Sequence, residues 1–268
     1  MDFNILALTK LVIDTANEEL IPRYRHVEKN VKADGTLVTD ADLAIQRRIG
    51  ADLSRRYPDI PFLGEEMPTA QQQAIMHDSD TGFWCLDPLD GTANFVAGMP
   101  CFGISLAYLA QGETRLGIIY DPMRGECFHA QRGQGAWLND RRLRLDVDTS
   151  ELSDCVAMVD LKRLPPTLGC NLATRPPYRS QRSIGSVALD WCWLAAGRLQ
   201  LYLHGGQRLW DFAAGRLIFA EAGGVFSLAD GIDCSAPYNQ NLQPKVAKAA
   251  VNRTLFATWA DWIEKNNR

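Results

Sequence analysis

Four stretches of this chain place carboxylates where carboxylates do chemistry: FLGEE with Glu65 and Glu66, WCLDPLDGTAN with Asp87 and Asp90, LWDFAAG with Asp211, and LVTDAD with Asp40 and Asp42. The second is the most informative. Its apolar residues read as a strand that ends at Asp87, where Pro88 stops further pairing. Asp90 and Gly91 then make a tight turn, and Thr92 begins a helix. Two carboxylates three residues apart at a strand end repel one another if both turn inward. A hard cation between them removes that cost, and magnesium prefers such oxygen ligands. The backbone N–H groups of Gly91, Thr92 and Ala93, at a helix start, are placed to hold phosphate oxygens.

A lone DPLDG reads equally well as an acidic turn capping a helix, so the other carboxylates decide the matter. LGEE is again an apolar strand ending in acid. Asp211 opens a helix of small residues directly behind Trp210, although it also suits an ordinary N-cap. Thr39 with Asp42 forms a variant capping box, with Asp in place of Glu, and a cap does not exclude a chemical role. Glu66 reads as a solvated or capping charge.

Regular elements must position these groups. Ile5, Leu8, Leu11, Val12, Thr15 and Ala16 share one helical face, and Pro22 limits that helix. A second helix runs from its cap at Thr39 towards Tyr57, with Leu43, Ala44, Ile49 and Leu53 as its apolar stripe. After the polar stretch through MPTAQQQ and HDSDTG, residues 101–145 read as a β-meander punctuated by QG, MRG and RGQG. The proline-rich segments KRLPPTLG and ATRPPYRS read as loops. Strand and helix signals alternate beyond them, ending in a helix capped by Asn252. This is an α+β pattern of mixed sheets layered with helices. A boundary near residues 146–152 divides it into an N-terminal α+β subdomain, 1–148, and a C-terminal α/β subdomain, 149–268.

Composition excludes several classes. A net charge of -4, with no basic run, argues against a nucleic-acid surface. No apolar run approaches the roughly 20 residues needed to span a bilayer. The first segment is interrupted by Asp2, Lys10 and Asp14 and is an amphipathic helix rather than a signal peptide. The seven cysteines (Cys85, Cys101, Cys127, Cys155, Cys170, Cys192, Cys234) are scattered without a CxxC pair, as in a reducing compartment, so a cytoplasmic location is expected. His26, His77, His129 and His204 lack zinc-site spacing.

LGEE, DPLDGTANF, LWDFAAG and EAGG, in this order, together with KADGTLVTDAD and RSIGS, resemble the inositol monophosphatase superfamily of magnesium-dependent, lithium-sensitive phosphatases over essentially the whole chain. The resemblance implies a layered α/β/α/β/α sandwich like that of the sugar phosphatases, a homodimer, and two or three magnesium ions per active site. It assigns Glu65, Asp87 and the Leu89 carbonyl to one metal and Asp87, Asp90 and Asp211 to a second. Glu65 reaches a third through water. It makes Thr92 the group that orients a metal-bound water, with Asp42 as its partner, and implies in-line hydrolysis of a phosphate monoester without a phosphoenzyme. Lys32 matches a lysine near the active site, and Gly185 and Ser186 match residues lining the substrate pocket beside Asp90 and Asp211.

The chain departs from the inositol-specific pattern at His204, where that pattern has glutamate seven residues before the WD aspartate. The expected substrate is therefore a small phosphorylated metabolite, an inositol-1-phosphate-like or sugar or polyol phosphate. Lys162, Arg163, Arg175, Arg179 and Arg182 lie in one basic stretch. They read as a grip on a second phosphate, as in fructose bisphosphate or a nucleotide, or as a solvated loop or dimer contact. DGTANF in place of DGTKEF points away from the nucleotide bisphosphatases. A regulatory binding protein on the same fold is the non-enzymatic alternative. DADLA (Asp40 to Ala44) only faintly matches the aspartate-nucleophile phosphatases, since it opens a helix rather than ending a strand.

Overall fold

The computed structural model describes residues 3–24, 29–31 (by backbone), 37–77, 82–146, 148–229 and 242–267; Lys32, His26 and Cys234 lie outside them. The chain opens with α1 (Ile5–Thr15), capped by Asn4, whose side chain accepts from the Ala7 N–H at 3.0 Å. The helix widens over Ala16–Leu20 and stops at the turn containing Pro22, which cannot continue the backbone ladder. A short antiparallel pair, β1 (Lys29–Val31) and β2 (Leu37–Thr39), leads into α2 (Asp40–Arg56). Of the expected stripe of α2, Ala44, Ile49 and Leu53 are buried and only Leu43 is exposed; Ala41 and Ile45 complete the buried face. Asp42 also lies inward, where it is 1% exposed.

Seven strands follow in spatial order of sequence: β3 (Phe62–Gly64), β4 (Phe83–Asp90), β5 (Gly103–Ala110), β6 (Glu113–Asp121), β7 (Glu126–Gln131), β8 (Gly135–Leu138) and β9 (Arg141–Leu143). Only β3 and β4 are parallel, and β5 to β9 form the expected meander. The polar stretch between β3 and β4 contains a helix, α3 (Thr69–His77), and β4 is followed by α4 (Thr92–Ala97).

The second sheet is built from β10 (Val156–Asp160), β11 (Ser180–Arg182), β12 (Leu201–Gln207), β13 (Val225–Ala229) and β14 (Lys245–Ala250) in the order β11-β10-β12-β14-β13. Helices α5 (Pro166–Thr174), α6 (Val187–Ala195), α7 (Leu209–Glu221) and α8 (Arg253–Asn266) connect or follow them. Sequence reasoning took the stretch around Pro165 and Pro166 for loop. It contains α5 instead, because Pro166 sits at the first helical position, where a missing N–H costs nothing.

Period-2 alternation gives each sheet two apolar faces, and the layers follow from them. Trp84, Leu86, Ile104, Leu106 and Ile118 pack against α1 and α2. Cys85, Ala107, Ile119 and Phe128 face the other way, onto α6 and α7, and Met158, Tyr202, Ala247 and Ala249 of the second sheet close on the same helices. Ala157, Val159, Leu201 and Leu203 pack outward against α5 and α8. The result is an α/β/α/β/α sandwich with α6 and α7 in its central layer. Gly117 on β6 allows the closest approach of α7: a Cβ there would lie 2.8 Å from backbone atoms of Ala214.

Candidate metal centre

The strand expected to end at Asp87 continues to Asp90. Asp87 pairs with Ser105 and Asp90 with Gly103, so three steps on β4 match two on β5. The extra residue is a β-bulge, and Pro88, which has no N–H for the ladder, lies within it. The bulge has a chemical consequence. In a regular strand residues three apart face opposite sides; one added residue restores them to the same side. Asp87 and Asp90 therefore both face the layer of α6 and α7, while Leu86 and Leu89 share the opposite core.

Asp211 completes the group from α7. It is the third residue of that helix, and its Oδ2 accepts from the Arg208 N–H at 2.8 Å, so it caps the helix while its other oxygen remains available. Ser105 of β5 donates to the Trp210 carbonyl at 3.1 Å, fixing the helix start against the strand beside Asp87. One carboxylate oxygen each from Asp87, Asp90 and Asp211 lies within 4.8 Å of the others. Asp87 and Asp90 are also held by hydrogen bonds: Asp87 Oδ1 accepts from the Leu89 N–H at 3.0 Å, and Asp90 Oδ2 from the Ser186 hydroxyl and the Ala188 N–H (2.7 Å).

Burial foremost, and then the charge of Glu65, hold the Asp87 carboxyl well above the usual carboxylate range; burial and the charge of Asp90 do the same for Asp211. Burial pushes Asp90 up to about 6, against hydrogen bonds from Ser186 and Ala188 that favour its charged form. Three convergent acids that each resist ionisation form a site short of positive charge, and a hard divalent cation with oxygen preference fits it. Glu65, half-buried after β3, is outside the set of mutually close oxygens but near enough for its charge to act on all three.

A family model described as the inositol monophosphatase family matches residues 4–260. The chain belongs to the inositol monophosphatase family. It is 37% identical over 207 residues, 76% of each chain, to a protein of Pasteurella multocida named Nus factor SuhB. It is 35% identical over 212 residues, 77% of each chain, to an inositol-1-monophosphatase of Mesorhizobium japonicum. Among solved structures, extragenic suppressor protein suhB of Bartonella henselae superposes with a TM-score of 0.83 at 29% identity, covering 97% of this chain and 98% of that one.

Around this inositol monophosphatase cluster, Asp42 and Thr92 come together from α2 and α4. Asp42 Oδ2 accepts from the Thr39 N–H (2.7 Å) and hydroxyl (2.5 Å), the capping box read from sequence. Its Oδ1 is 3.4 Å from the Thr92 hydroxyl, which donates to the Leu89 carbonyl at 2.9 Å. Burial raises Asp42 to about 6. Gly91, at φ +91°, caps α4; a side chain there would meet the Cys101 carbonyl at 2.8 Å.

The remaining candidates divide. Ser186 holds Asp90 and caps α6 by accepting from the Leu189 N–H at 3.3 Å, a positioning role that sequence spacing did not show. Gly185 is exposed beside Asn94, whose amide donates to the carbonyls of Cys101 and Ile184, both at 2.7 Å, and so ties α4 to the turn before α6. His204 is only 3% exposed and both ring nitrogens are engaged: Nδ1 accepts from the Gly206 N–H at 3.1 Å, and Nε2 lies 3.1 Å from Asp160 Oδ2. This imidazole is locked into the protein, and in this arrangement has no nitrogen left for a substrate hydroxyl. Arg163 also pairs with Asp160, whose carboxyl is held far below the usual range, by His204 first and Arg163 after it. Lys162 and Arg182 are exposed, Arg182 bonding the Ser180 hydroxyl and the Gln181 carbonyl at 2.7 Å.

Proposed function

We propose that this chain is a magnesium-dependent phosphatase that hydrolyses a small phosphate monoester, a sugar or polyol phosphate, by attack of water. The observation that carries this reading is the convergence of Asp87, Asp90 and Asp211, each hydrogen-bonded within the protein and each with a carboxylate oxygen within 4.8 Å of the others. Those three carboxylates, with Glu65 and the Leu89 carbonyl, would hold the ions. When bound, magnesium lowers the pKa of water and neutralises charge on the leaving oxygen. The hydroxyl of Thr92, steered by the Leu89 carbonyl, orients the nucleophile, and Asp42 Oδ1 receives its proton. The N–H groups of Gly91, Thr92 and Ala93, at the start of α4, are the groups that would cradle the phosphoryl oxygens. The locked His204 favours a substrate whose hydroxyls are read by other groups. Pairing of two chains is part of the proposal by family resemblance, as is the subdomain division at 148.

The test is phosphate release across inositol phosphates, sugar phosphates, fructose bisphosphate and adenosine phosphates, with lithium as control. Asp87→Asn and Asp211→Asn should each lower magnesium-dependent turnover by about 100-fold or more; near wild-type rates would sink the assignment. A second reading, a regulatory binding protein with residual phosphatase activity, is favoured by the relatives named Nus factor SuhB. It predicts weak turnover of the whole panel by a protein that still binds magnesium.

A further inference from the structure

A second cavity lies on the far side of the second sheet from the carboxylates. It is about 360 Å³ in volume and sits where β12 and β14 meet α5, α8 and the turn after β10. Leu168, Leu203 and Ile263 give it apolar walls. Alternation along β12 places it: Tyr202 faces the central layer, whereas Leu203 faces the outer one. The sheet itself therefore separates this cavity from Asp87, Asp90 and Asp211.

The cavity holds one feature that an apolar core should not contain. Lys248 lines it, is 3% exposed, and makes no hydrogen bond or ion pair with any other described residue. Its side chain thus presents to the cavity a positive charge that no described carboxylate balances. Two further polar groups around it lack protein partners. The buried Oδ1 of Asn267, also at the wall, has none, and neither has the Ser227 hydroxyl, which stands directly opposite Lys248 in the β13–β14 register. Arg163 lies at the rim, but its guanidinium is committed to Asp160. Among the described residues, the positive charge left unmatched at this cavity is thus that of Lys248.

We infer that this cavity is a binding site for a small apolar monocarboxylate, its carboxylate paired with Lys248 and its hydrocarbon body against Leu168, Leu203 and Ile263. One unmatched cation calls for one negative charge, which suits a carboxylate better than a phosphate dianion. The volume falls in the range of small-molecule sites, and the mixture of apolar walls with a few convergent polar atoms is their usual chemistry. The Ser227 hydroxyl, opposite Lys248 in the strand register, can donate to the carboxylate end.

The test uses the full chain with hexanoate and, as the uncharged control, hexanamide, read by calorimetric titration and thermal unfolding. Hexanoate should bind saturably and raise Tm, hexanamide should bind at least ~10-fold more weakly, and Lys248→Met should abolish the difference. Asp87→Asn, in the other cavity, should bind hexanoate as the parent does, and magnesium-dependent turnover should be unchanged in Lys248→Met. If Lys248→Met does not fold, Leu168→Phe, which fills the cavity and keeps the lysine, provides the same readout by blocking hexanoate. Absence of saturable hexanoate binding would overturn the inference, as would equal binding of hexanamide or undiminished binding to these variants.

Discussion

At the scale of single residues, the site is organised by a division of labour within each carboxylate. Asp42, Asp87, Asp90 and Asp211 each give one oxygen to a backbone or hydroxyl donor and keep the other for chemistry. The anchored oxygen fixes the rotamer, and burial supplies the low dielectric that strengthens whatever the free oxygen binds. The same burial raises all four pKa values, with Asp42 and Asp90 at about 6. A carboxyl whose folded pKa exceeds its unfolded value stabilises the fold below the unfolded value, and that contribution is lost as pH rises through the folded one. For the magnesium-free protein these groups therefore cost stability between about pH 4 and pH 6 and above. On the proposed reading, magnesium would bind the ionised forms in competition with protons, so its stabilising effect should grow over the same window. The rise in Tm on adding magnesium should be several degrees larger at pH 8 than at pH 5. An equal rise at both values would mean that these carboxylates are not the binding groups. For Asp42→Asn, which retains an N-cap oxygen but removes the proton acceptor, turnover should fall by about 100-fold with little change in Tm.

At the scale of elements, the bulge in β4 and the docking of α6 and α7 decide whether the carboxylates meet. Ser186 links two of these elements, since one hydroxyl caps α6 and holds Asp90 of β4. Ser186→Ala should cost about 1 kcal/mol of stability and raise the magnesium concentration needed for half-maximal activity. Ser186→Thr, which keeps the hydroxyl, should restore most of both. Gly117 sets the spacing of α7 over the first sheet, with Ala214 backbone atoms 2.8 Å from where its Cβ would be. Gly117→Val should destabilise by about 1–3 kcal/mol through overpacking and weaken magnesium binding, because α7 carries Asp211. Unchanged magnesium affinity in a variant with lowered Tm would separate helix spacing from ligand placement.

For the whole molecule, the central layer is shared. Phe128 and Ile119 of the first sheet and Tyr202 and Ala249 of the second bury the same two helices in one continuous core. Neither half of the chain can cover α6 and α7 alone, so the intact protein should unfold in a single cooperative transition with coincident fluorescence and circular-dichroism curves. Residues 149–268 expressed alone should lack a stable fold. Two resolved transitions would show that the sheets belong to separable domains. Asp87 and Asp90 of β4 and Asp211 of α7 meet at this layer, which makes their arrangement sensitive to the integrity of the entire core.

Much of this was legible in the chain before folding. The turn at Gly91 with the helix start at Thr92, the meander of residues 101–145, and the caps at Thr39 and Asn252 are local properties, set by residue type within a few positions, and each is present in the structure. The α5 helix was hidden by its prolines, and of the α2 stripe only Leu43 differs, exposed where Ala44, Ile49 and Leu53 are buried, because helix faces are settled by packing rather than spacing alone. The carboxylates themselves were identifiable from type and order. That Asp87 and Asp90 face the same way, that Ser186 grips Asp90, and that His204 is locked against Asp160 are different matters. Each depends on groups far apart in sequence, or on one residue inserted between paired strands. Sequence by itself determined which chemical groups this protein possesses and the local turns that present them; only the tertiary structure decided which oxygens converge, because convergence is a property of strand register and layer packing.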